Sequence, residues 1–248
     1  MKLPVTLLIR TLWRSLLLQA SWNYERMQNM GVLYALSPAL RFLYKDEDLE
    51  EAYQRHLTYF NTHPYMSAPV LGATLAQEES RADGQEMSFS VEDFKSMIMA
   101  PYAAIGDALF WGGVRPLAAC TALFFAGKGS LLAPFVFLTL FNLPHLMMRS
   151  WGFARGYVRG VSVVEIIQRR RLPDVAIRFK EGAVILLGGL IAFLTTETCR
   201  LSEIEAGWGL FALPVVLSVV WLARKGLSTL FLVFVSVLLV ITVFQVIT

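Results

Sequence analysis

Cysteine, histidine and charge are all scarce in this sequence. Its 248 residues include two cysteines, Cys120 and Cys199, and three histidines, and only 17% of the residues are charged. Two thiols cannot make a disulfide framework or a complete structural zinc site, so we expect both to be buried and inert. The 22 basic and 19 acidic side chains give a net charge of +3, which is too balanced to predict a nucleic-acid partner.

Apolar residues are abundant instead. They make up 56% of the chain, and the mean hydropathy of +0.54 is well above that of a soluble globular domain. A protein embedded in a membrane is therefore the first prediction. We expect no secretory signal peptide at the start, because Arg10 and Arg14 interrupt the apolar stretch that one requires.

The first helix of the chain should be amphipathic. Apolar residues recur at helical spacing from residue 9 to residue 20, and Arg10 and Arg14 lie elsewhere on the helix. The apolar positions are Ile9, Leu12, Trp13, Leu16, Leu17 and Ala20. This pattern is typical of a helix at a membrane surface or on a partner protein, and equally of a helix packed in a protein core.

Composition divides the chain near residue 93. Residues 1–93 are amphipathic and should form helices that pack on the membrane core and on a partner subunit. Residues 94–248 carry the long apolar runs and should form the membrane core. Ser90 with Asp93 resembles a capping box at this boundary, which predicts a helix that stops before Pro101.

From residue 117 to residue 148 the only charged side chain is Lys128, which lies among glycines in AGKGS. This predicts two apolar halves joined by a tight turn. We expect membrane spans near residues 117–148, 182–196, 208–223 and 227–246. The second and third are shorter than the roughly 20 residues of a perpendicular spanning helix, which is typical of helices that break inside a membrane.

Basic and acidic residues are separated between two segments that we expect to be loops. Eight basic residues lie between Arg149 and Lys180, whereas residues 197–207 carry three glutamates and one arginine. Basic loops of membrane proteins remain on the cytoplasmic side. The basic segment should therefore be cytoplasmic and the acidic one should be outside.

Histidine spacing gives a poor case for catalysis. Apolar residues at helical spacing from Leu49 to Phe60 predict a helix that includes His56, and Pro64 pushes His63 out of the helical conformation. Neither a His-x-x-x-His spacing nor a glutamate in the matching register accompanies these residues. Histidines that pack or face a partner explain the pattern better than a metal or hydrolase site. Since the sequence has no phosphate-binding loop, nucleophile elbow or dinucleotide fingerprint, we expect no cofactor and no metal.

Three stretches combine polar side chains with aromatic and small residues: SWNYERMQNMG (21–31), FNTHPYMSAPVLGATLAQEE (60–79) and GDALFWGGVRP (106–116). Sugar hydroxyls need donors and acceptors, and the C–H face of a sugar ring needs an aromatic surface. The candidate sugar-binding residues are Trp22, Asn23, Glu25, Asn61, Thr62, His63, Asp107 and Trp111. Alternatively, Glu25 with Arg26 and Asp107 with Arg115 are structural ion pairs, and the tryptophans belong to an interfacial belt.

Five ordered motifs resemble the IID component of the mannose/fructose/sorbose family of the bacterial phosphoenolpyruvate-dependent sugar phosphotransferase system (PTS). They are SWNYERMQNMG, RHLTYFNTHPYMSAPVLGATLAQEE, IGDALFWGGVRP, GSLLAPFVFLTLFNL and WGFARGYVRG. The resemblance runs from about residue 15 to the end of the chain. It implies an all-α, polytopic helical protein of the bacterial inner membrane, with re-entrant or discontinuous helices and an amphipathic N-terminal part.

The resemblance also implies a function and partners. Such a chain pairs with a membrane IIC subunit to form a sugar channel, in a higher oligomer of the IIC/IID pair, and its ligands are a hexose and membrane lipid. Soluble IIA and IIB supply the phosphate through phosphohistidines, so no histidine of this chain need be phosphorylated and the chain is not expected to be catalytic alone. Two other functions stay open: a stand-alone intramembrane enzyme, and a relative of IID that scaffolds its complex without transport.

A re-entrant hairpin near residues 100–116 follows from the same resemblance, with GDALFWGGVRP at its tip. Gly106, Gly112 and Gly113 would permit the chain to reverse. Asp107 and Arg115 would avoid lipid by facing protein or a hydrated cavity.

Overall fold

The structure is a computed structural model that describes residues 2–86, 89–203 and 205–247. Helices make up nearly all of the regular structure in these ranges, alongside two isolated β-bridges. The α-helices are α1 (Val5–Ser15), α2 (Asn29–Leu43), α3 (Asp46–His56), α4 (Ser67–Ala82), α5 (Val91–Gly106), α6 (Arg115–Gly127), α7 (Ala133–Arg159), α8 (Val163–Arg169), α9 (Leu172–Leu201), α10 (Ala212–Arg224) and α11 (Thr229–Ile247). The predicted all-α class is confirmed.

Helices α4 and α7 form the most extensive contact of the compact unit that comprises residues 1–187. Both carry glycine where their backbones meet. A Cβ atom on Gly156 would collide with the carbonyl of Pro69, and one on Gly72 would collide with the carbonyl of Phe153. Gly152 and Gly156 form the small-xxx-small spacing that lets membrane helices approach closely. The motif WGFARGYVRG therefore has a packing role.

Helix α1 packs Leu7, Leu8 and Leu12 against the core and turns other apolar side chains outward. Thr11 and Ser15 are buried, whereas Val5, Ile9 and Trp13 are 68%, 51% and 68% exposed. The helix ends at Ser15, and residues 16–21 form turns instead of continuing it. The outward apolar side chains are therefore not packed into the core of this chain, which favours a membrane surface or a partner as their neighbour.

The largest difference from the sequence prediction lies between residues 91 and 127. Helix α5, a π-helical segment (Asp107–Val114) and α6 follow one another as one helical run. The predicted helix end before Pro101 is wrong, since this proline lies inside α5. The predicted reversal at Gly112 and Gly113 is wrong as well. The predicted helix start is confirmed, because the Ser90 side chain caps α5 by accepting a hydrogen bond from the Asp93 N–H at 3.0 Å.

The glycines of this run serve close packing rather than reversal. A Cβ atom on Gly106 would collide with the ring of His63, and one on Gly113 would lie 3.0 Å from Cβ of Phe179. The chain reverses between α6 and α7, where Gly129 has a φ of 70°, a conformation that glycine adopts without steric cost. This confirms the tight turn predicted at AGKGS.

The basic segment from Arg149 to Lys180 is largely helical rather than a loop. Helix α7 continues to Arg159, and α8 and the start of α9 follow. The loop prediction was wrong because the charges lie along helices: Arg155 and Arg159, four residues apart, share an exposed face of α7.

Two helical runs are long and apolar enough to cross a membrane, Val91–Gly127 and Leu172–Leu201. Two shorter apolar helices are Leu213–Arg224 and Thr229–Thr242. The predicted span 182–196 lies inside α9, and the spans 208–223 and 227–246 correspond to α10 with the 3₁₀ turn before it and to α11. Residues 188–248 form a second compact unit.

Candidate functional site

The stretch GDALFWGGVRP has an unusual local structure. Its residues Asp107–Val114 are π-helical, and the N–H of Arg115 donates to the carbonyl of Phe110, five residues earlier. π-Helical turns are rare and occur frequently at functional sites. The segment with an unusual mixture of residues in the sequence therefore also has an unusual backbone conformation in the structure.

The stretch SWNYERMQNMG is hydrogen-bonded to the loop between α3 and α4 through Gln28. The side-chain amide of Gln28 donates to the carbonyl of Thr62 at 2.7 Å, and its oxygen accepts from the N–H of Thr62 at 3.1 Å. The N–H of Gln28 donates to the carbonyl of Phe60 at 2.9 Å. These bonds fix the backbone on both sides of Asn61, just ahead of His63.

His63 joins this loop to the π-helical segment. Its ring stacks on Phe110 with centroids 5.4 Å apart and 19° between the planes, and its centroid lies 5.1 Å from that of Trp111. Gly106 allows this approach, because a Cβ atom there would occupy the space of the ring. The three stretches that the sequence singled out are therefore in contact, the first with the second through Gln28 and Thr62, and the second with the third through His63.

Tyr65 extends the contact to α7. Its ring stacks on His145 at 4.1 Å between centroids and meets Phe141 edge-on at 6.0 Å. Phe141 in turn stacks on Trp111 at 6.1 Å. We call His63, Tyr65, Phe110, Trp111, Phe141 and His145 the Tyr65 cluster. Its histidines are buried and Trp111 is 39% exposed, so the cluster reaches the surface at one side.

His63 carries an unused hydrogen-bond donor. Its Nδ1 accepts from the N–H of Tyr65 at 3.2 Å, which places the proton of the neutral ring on Nε2. Burial, together with Arg149 and His145 nearby, lowers the pKa of His63 to about 4, so the ring is neutral at pH 7. Nε2 is buried and makes no hydrogen bond.

His145 carries an unused acceptor. Its Nε2 lies 2.8 Å from Oδ1 of Asn142, which can only accept, so Nε2 donates and Nδ1 of the neutral ring is an acceptor. Nδ1 is buried and makes no hydrogen bond, and neither does Nε of Arg149, whose guanidinium carbon lies 5.3 Å from the centre of the Tyr65 ring. Buried polar atoms are nearly always bonded to protein, water or a ligand. The residues around Tyr65 therefore leave a donor on His63, an acceptor on His145 and a donor on Arg149 unused.

A second polar cluster is centred on Glu78 of α4, and it is fully bonded. The carboxylate accepts from Nε and Nη2 of Arg55 at 3.0 Å each, from Nε2 of His56 at 2.9 Å and from the hydroxyl of Tyr44 at 2.7 Å. Nζ of Lys95 donates to the carbonyl of Arg55 at 2.9 Å and lies 3.3 Å from Nδ1 of His56. We call Tyr44, Arg55, His56, Glu78 and Lys95 the Glu78 network.

Protonation in this network follows from its contacts. Lys95 can only donate, so Nδ1 of His56 accepts and Nε2 donates to Glu78. Burial lowers the pKa of His56 to about 4, which keeps the ring neutral at pH 7. Burial alone would raise the pKa of Glu78, but the hydrogen bonds from His56 and Arg55 outweigh it and hold this pKa at about 2. The network ties α2, α3, α4 and α5 together and supports the loop that carries His63.

Two of the eight predicted site residues, His63 and Trp111, belong to the Tyr65 cluster. Asp107 is exposed and lies one helical turn before Trp111. The ion pair considered between Asp107 and Arg115 is not formed within the described residues. Arg115 instead lies over the ring of Trp111, with its guanidinium carbon 5.5 Å from the ring centre.

The other predicted site residues have different surroundings. Nδ2 of Asn23 donates to Oδ1 of Asn29 at 2.9 Å, and Oδ1 of Asn23 accepts from the N–H of Arg26 at 2.8 Å, so this side chain closes a local turn. Glu25 forms an exposed ion pair with Arg26 at 3.2 Å, as the structural alternative expected. The remaining three lie outside the cluster: Trp22 and Asn61 are exposed, and Thr62 is buried.

Four important residues were missed by sequence reasoning: Tyr65, Phe141, Glu78 and His145. Tyr65 and Glu78 lie inside FNTHPYMSAPVLGATLAQEE, Phe141 lies inside GSLLAPFVFLTLFNL, and His145 lies two residues after that motif. Their residue types did not distinguish a site from ordinary packing. In the described ranges no group of three or more His, Cys, Asp or Glu side chains could hold a metal ion, and Cys120 and Cys199 are free thiols, the first buried and the second half-buried.

Comparison with known proteins gives the family. The model of the PTS system mannose/fructose/sorbose family IID component matches residues 2–247. The chain belongs to this family. Among IID components, the mannose-specific EIID component of Escherichia coli is 44% identical over 176 residues, which cover 70% of this chain and 61% of that protein. The fructose permease IID component of Bacillus subtilis is 32% identical over 246 residues, which cover 89% and 88%.

Solved structures agree with this assignment. A structure of the mannose transporter ManYZ in complex with a microcin contains a chain that is 33% identical, with a TM-score of 0.63 over 98% of this chain and 97% of that one. A second structure, described as a membrane protein, is 33% identical with a TM-score of 0.79 over 99% and 98%. This IID component is therefore a helical membrane protein of the sugar phosphotransferase system.

Proposed function

We propose that this chain is the IID subunit of a mannose-family permease that, with a IIC subunit, translocates a hexose across the inner membrane. Soluble IIA and IIB proteins phosphorylate the sugar as it is taken up. The observation that carries the proposal is the 33% identity, over nearly the whole of both chains, to a chain in the structure of a mannose transporter. The names of the relatives, specific for mannose or fructose, support a hexose as the substrate.

The proposed arrangement in the membrane has several spans. Apolar helices in the second part of the chain cross the inner membrane, and the amphipathic residues 1–93 pack on the membrane core and on IIC. The outward apolar side chains of α1 support either the membrane or a partner subunit as the neighbour of this helix. The basic residues from Arg149 to Lys180 are cytoplasmic, by the excess of positive charge on that side of membrane proteins. Several IIC/IID pairs assemble together.

The Tyr65 cluster is the proposed sugar-facing site of this subunit. Trp111 offers a partly exposed ring for the C–H face of a sugar, and Asp107, one turn away, offers a carboxylate for two hydroxyls. Nε2 of His63 and Nδ1 of His145 supply the unused donor and acceptor. Of the predicted set, we propose that only His63, Asp107 and Trp111 contact the sugar, since the side chains of Asn23 and Glu25 have other partners and Trp22, Asn61 and Thr62 lie outside the cluster.

Subunit omission tests the function. Membranes containing this chain, a IIC subunit, both or neither are mixed with IIA, IIB and the general phosphotransfer proteins, and hexose-dependent consumption of phosphoenolpyruvate is measured. We expect consumption only when both membrane subunits are present. Consumption with IIC alone would leave this chain a scaffold. Sugar turnover by this chain purified alone would show that it is a stand-alone enzyme. Either result would refute the proposal.

A further inference from the structure

A cleft lined by arginine lies between α1 and α2. Its volume is about 220 Å³, and its lining consists of Arg10, Arg14, Ser37, Pro38 and Arg41. The lining therefore holds three positive charges and no carboxylate. Within the described residues, none of the three arginines takes part in an ion pair. Like charges repel when they are placed together without a counter-charge, so this grouping calls for an anion.

The arginines keep donors available for such an anion. Nη1 of Arg14 donates to the carbonyl of Tyr34 at 3.1 Å and to Oγ of Ser37 at 3.0 Å, which fixes its position. Nε of Arg41 donates to the hydroxyl of Tyr53 at 2.7 Å. A guanidinium group has five N–H donors, so both keep several free, and Arg10 is exposed. The planar fork of guanidinium donors matches the oxygens of a phosphate group.

Exposed apolar side chains lie on the two helices that line the cleft. Ile9 and Trp13 directly precede Arg10 and Arg14 along α1, and they are 51% and 68% exposed. On α2, Met30 and Tyr34 are 49% and 44% exposed, and they lie two turns and one turn, respectively, ahead of Ser37 and Pro38. A cationic cleft beside an apolar helix face is the pattern of helices that lie in the interface of an anionic membrane.

We propose that this surface binds an anionic phospholipid of the surrounding membrane. The lipid phosphate lies in the cleft against Arg10, Arg14 and Arg41, and the acyl chains lie along Ile9 and Trp13. The choice of lipid over a protein or free phosphate follows from the combination of features, because one molecule must supply both a phosphate and long apolar chains. The site goes beyond the proposed transport function and does not depend on it.

Lipid binding to the full-length chain in neutral detergent tests the site directly. Native mass spectrometry counts the molecules of phosphatidylglycerol retained by the chain, with phosphatidylcholine as the uncharged comparison. We expect preferential binding of phosphatidylglycerol. Affinity should fall about fivefold for Arg10→Gln and about 25-fold for Arg10→Gln with Arg41→Gln, because a basic residue near an anionic lipid surface contributes about 1 kcal/mol. Trp13→Ala should also weaken binding, and it removes no charge.

The matched control is Arg169→Gln, which removes one charge from an exposed side chain of α8. It should bind phosphatidylglycerol like the wild type. Equal binding of both lipids, or equal loss in the control and in Arg10→Gln, would overturn the proposal. So would displacement of the lipid by millimolar inorganic phosphate, which would indicate a free-phosphate site. A double variant that keeps the lipid but no longer co-purifies with IIC would assign the surface to a protein partner instead.

Discussion

The Glu78 network and the Tyr65 cluster use similar side chains but differ in how fully their polar atoms are bonded. His56 uses both ring nitrogens, and Glu78 accepts hydrogen bonds from three side chains. His63 and His145 each leave one buried ring nitrogen unbonded. A fully bonded polar cluster specifies and stabilises a fold, whereas unbonded polar atoms beside a partly exposed aromatic surface are suited to a ligand. The difference predicts that mutations in the network mainly affect the stability of the fold. Mutations in the cluster should mainly affect sugar binding.

Replacing the central carboxylate should have the largest effect on stability. Glu78→Gln keeps the size of the side chain but leaves Arg55 buried without its counter-charge, which costs about 3–5 kcal/mol. We expect a corresponding fall in the free energy of unfolding of the purified chain in detergent. Glu50→Gln, on the exposed side of α3, is the control and should change it by less than about 0.5 kcal/mol. Equal stability of the two variants would show that the network is not structural.

Acid should destabilise the fold through the buried histidines. The pKa values of His56 and His63 are lowered by burial from 6.5 to about 4, so the unfolded chain binds protons first when the pH falls below 6.5. The stabilisation is therefore complete above that pH and is lost as the pH falls toward 4, by about 2 kcal/mol per histidine between pH 7 and pH 5. Glu78, lowered from 4.5 to about 2, adds a loss only below pH 4.5. Unfolding measured at pH 7, 6 and 5 checks this.

One substitution separates the two histidines in that titration. His63→Phe should remove about half of the loss between pH 7 and pH 5 and leave the part due to His56. A pH-independent stability in the wild type would contradict the buried, neutral state of both rings.

His63→Phe should also separate stability from activity. Phenylalanine keeps the stacking on Phe110 and removes the unpaired Nε2 donor, but it also removes the Nδ1 acceptor of the Tyr65 N–H, so the free energy of unfolding at pH 7 should fall by about 1–2 kcal/mol, less than for Glu78→Gln. Hexose-dependent phosphorylation should fall about tenfold, the effect of one hydrogen bond of about 1.4 kcal/mol. Activity is compared in membranes that hold equal amounts of the IIC/IID pair. A variant that is destabilised but fully active would reverse the roles assigned to the two regions.

The smallest effect on stability is expected at Asp107. Its side chain is exposed and is not paired with Arg115, so Asp107→Asn and Arg115→Gln should each change the free energy of unfolding by less than about 0.5 kcal/mol. The double variant should show the sum of the two changes. A double variant that is more stable than either single one would instead reveal an ion pair.

Sequence patterns predicted the helices better than their connections. The helix at α3, the cap at Ser90 and the turn at AGKGS follow from local chemistry that a short window contains. The reversal at Gly112 and Gly113 was placed wrongly because a glycine that permits a turn cannot be told by sequence from one that admits a neighbouring side chain. Gly106 shows this, because a side chain at this position would collide with the ring of His63, a residue that is distant in the sequence.

The candidate site was predicted only in part for the same reason. His63 and Trp111 were selected as polar and aromatic residues inside unusual motifs, and the structure brings them together. Tyr65, Phe141 and His145 were not selected, because their role comes from contacts between the loop after α3 and helix α7. Asn23 and Glu25 have side chains suited to sugars, but bonds to Asn29 and Arg26 within the same short segment occupy them.

Binding of a labelled hexose to the IIC/IID pair, without IIA and IIB so that no phosphorylation occurs, tests the sugar-facing role of the Tyr65 cluster most directly. Trp111→Leu keeps an apolar side chain but removes the aromatic surface that is 39% exposed. We predict that the wild-type pair binds the hexose and that the variant pair, still intact on a sizing column, binds it about tenfold more weakly, a difference of about 1.4 kcal/mol. Equal affinity of the two pairs would contradict the assignment of the sugar to this cluster.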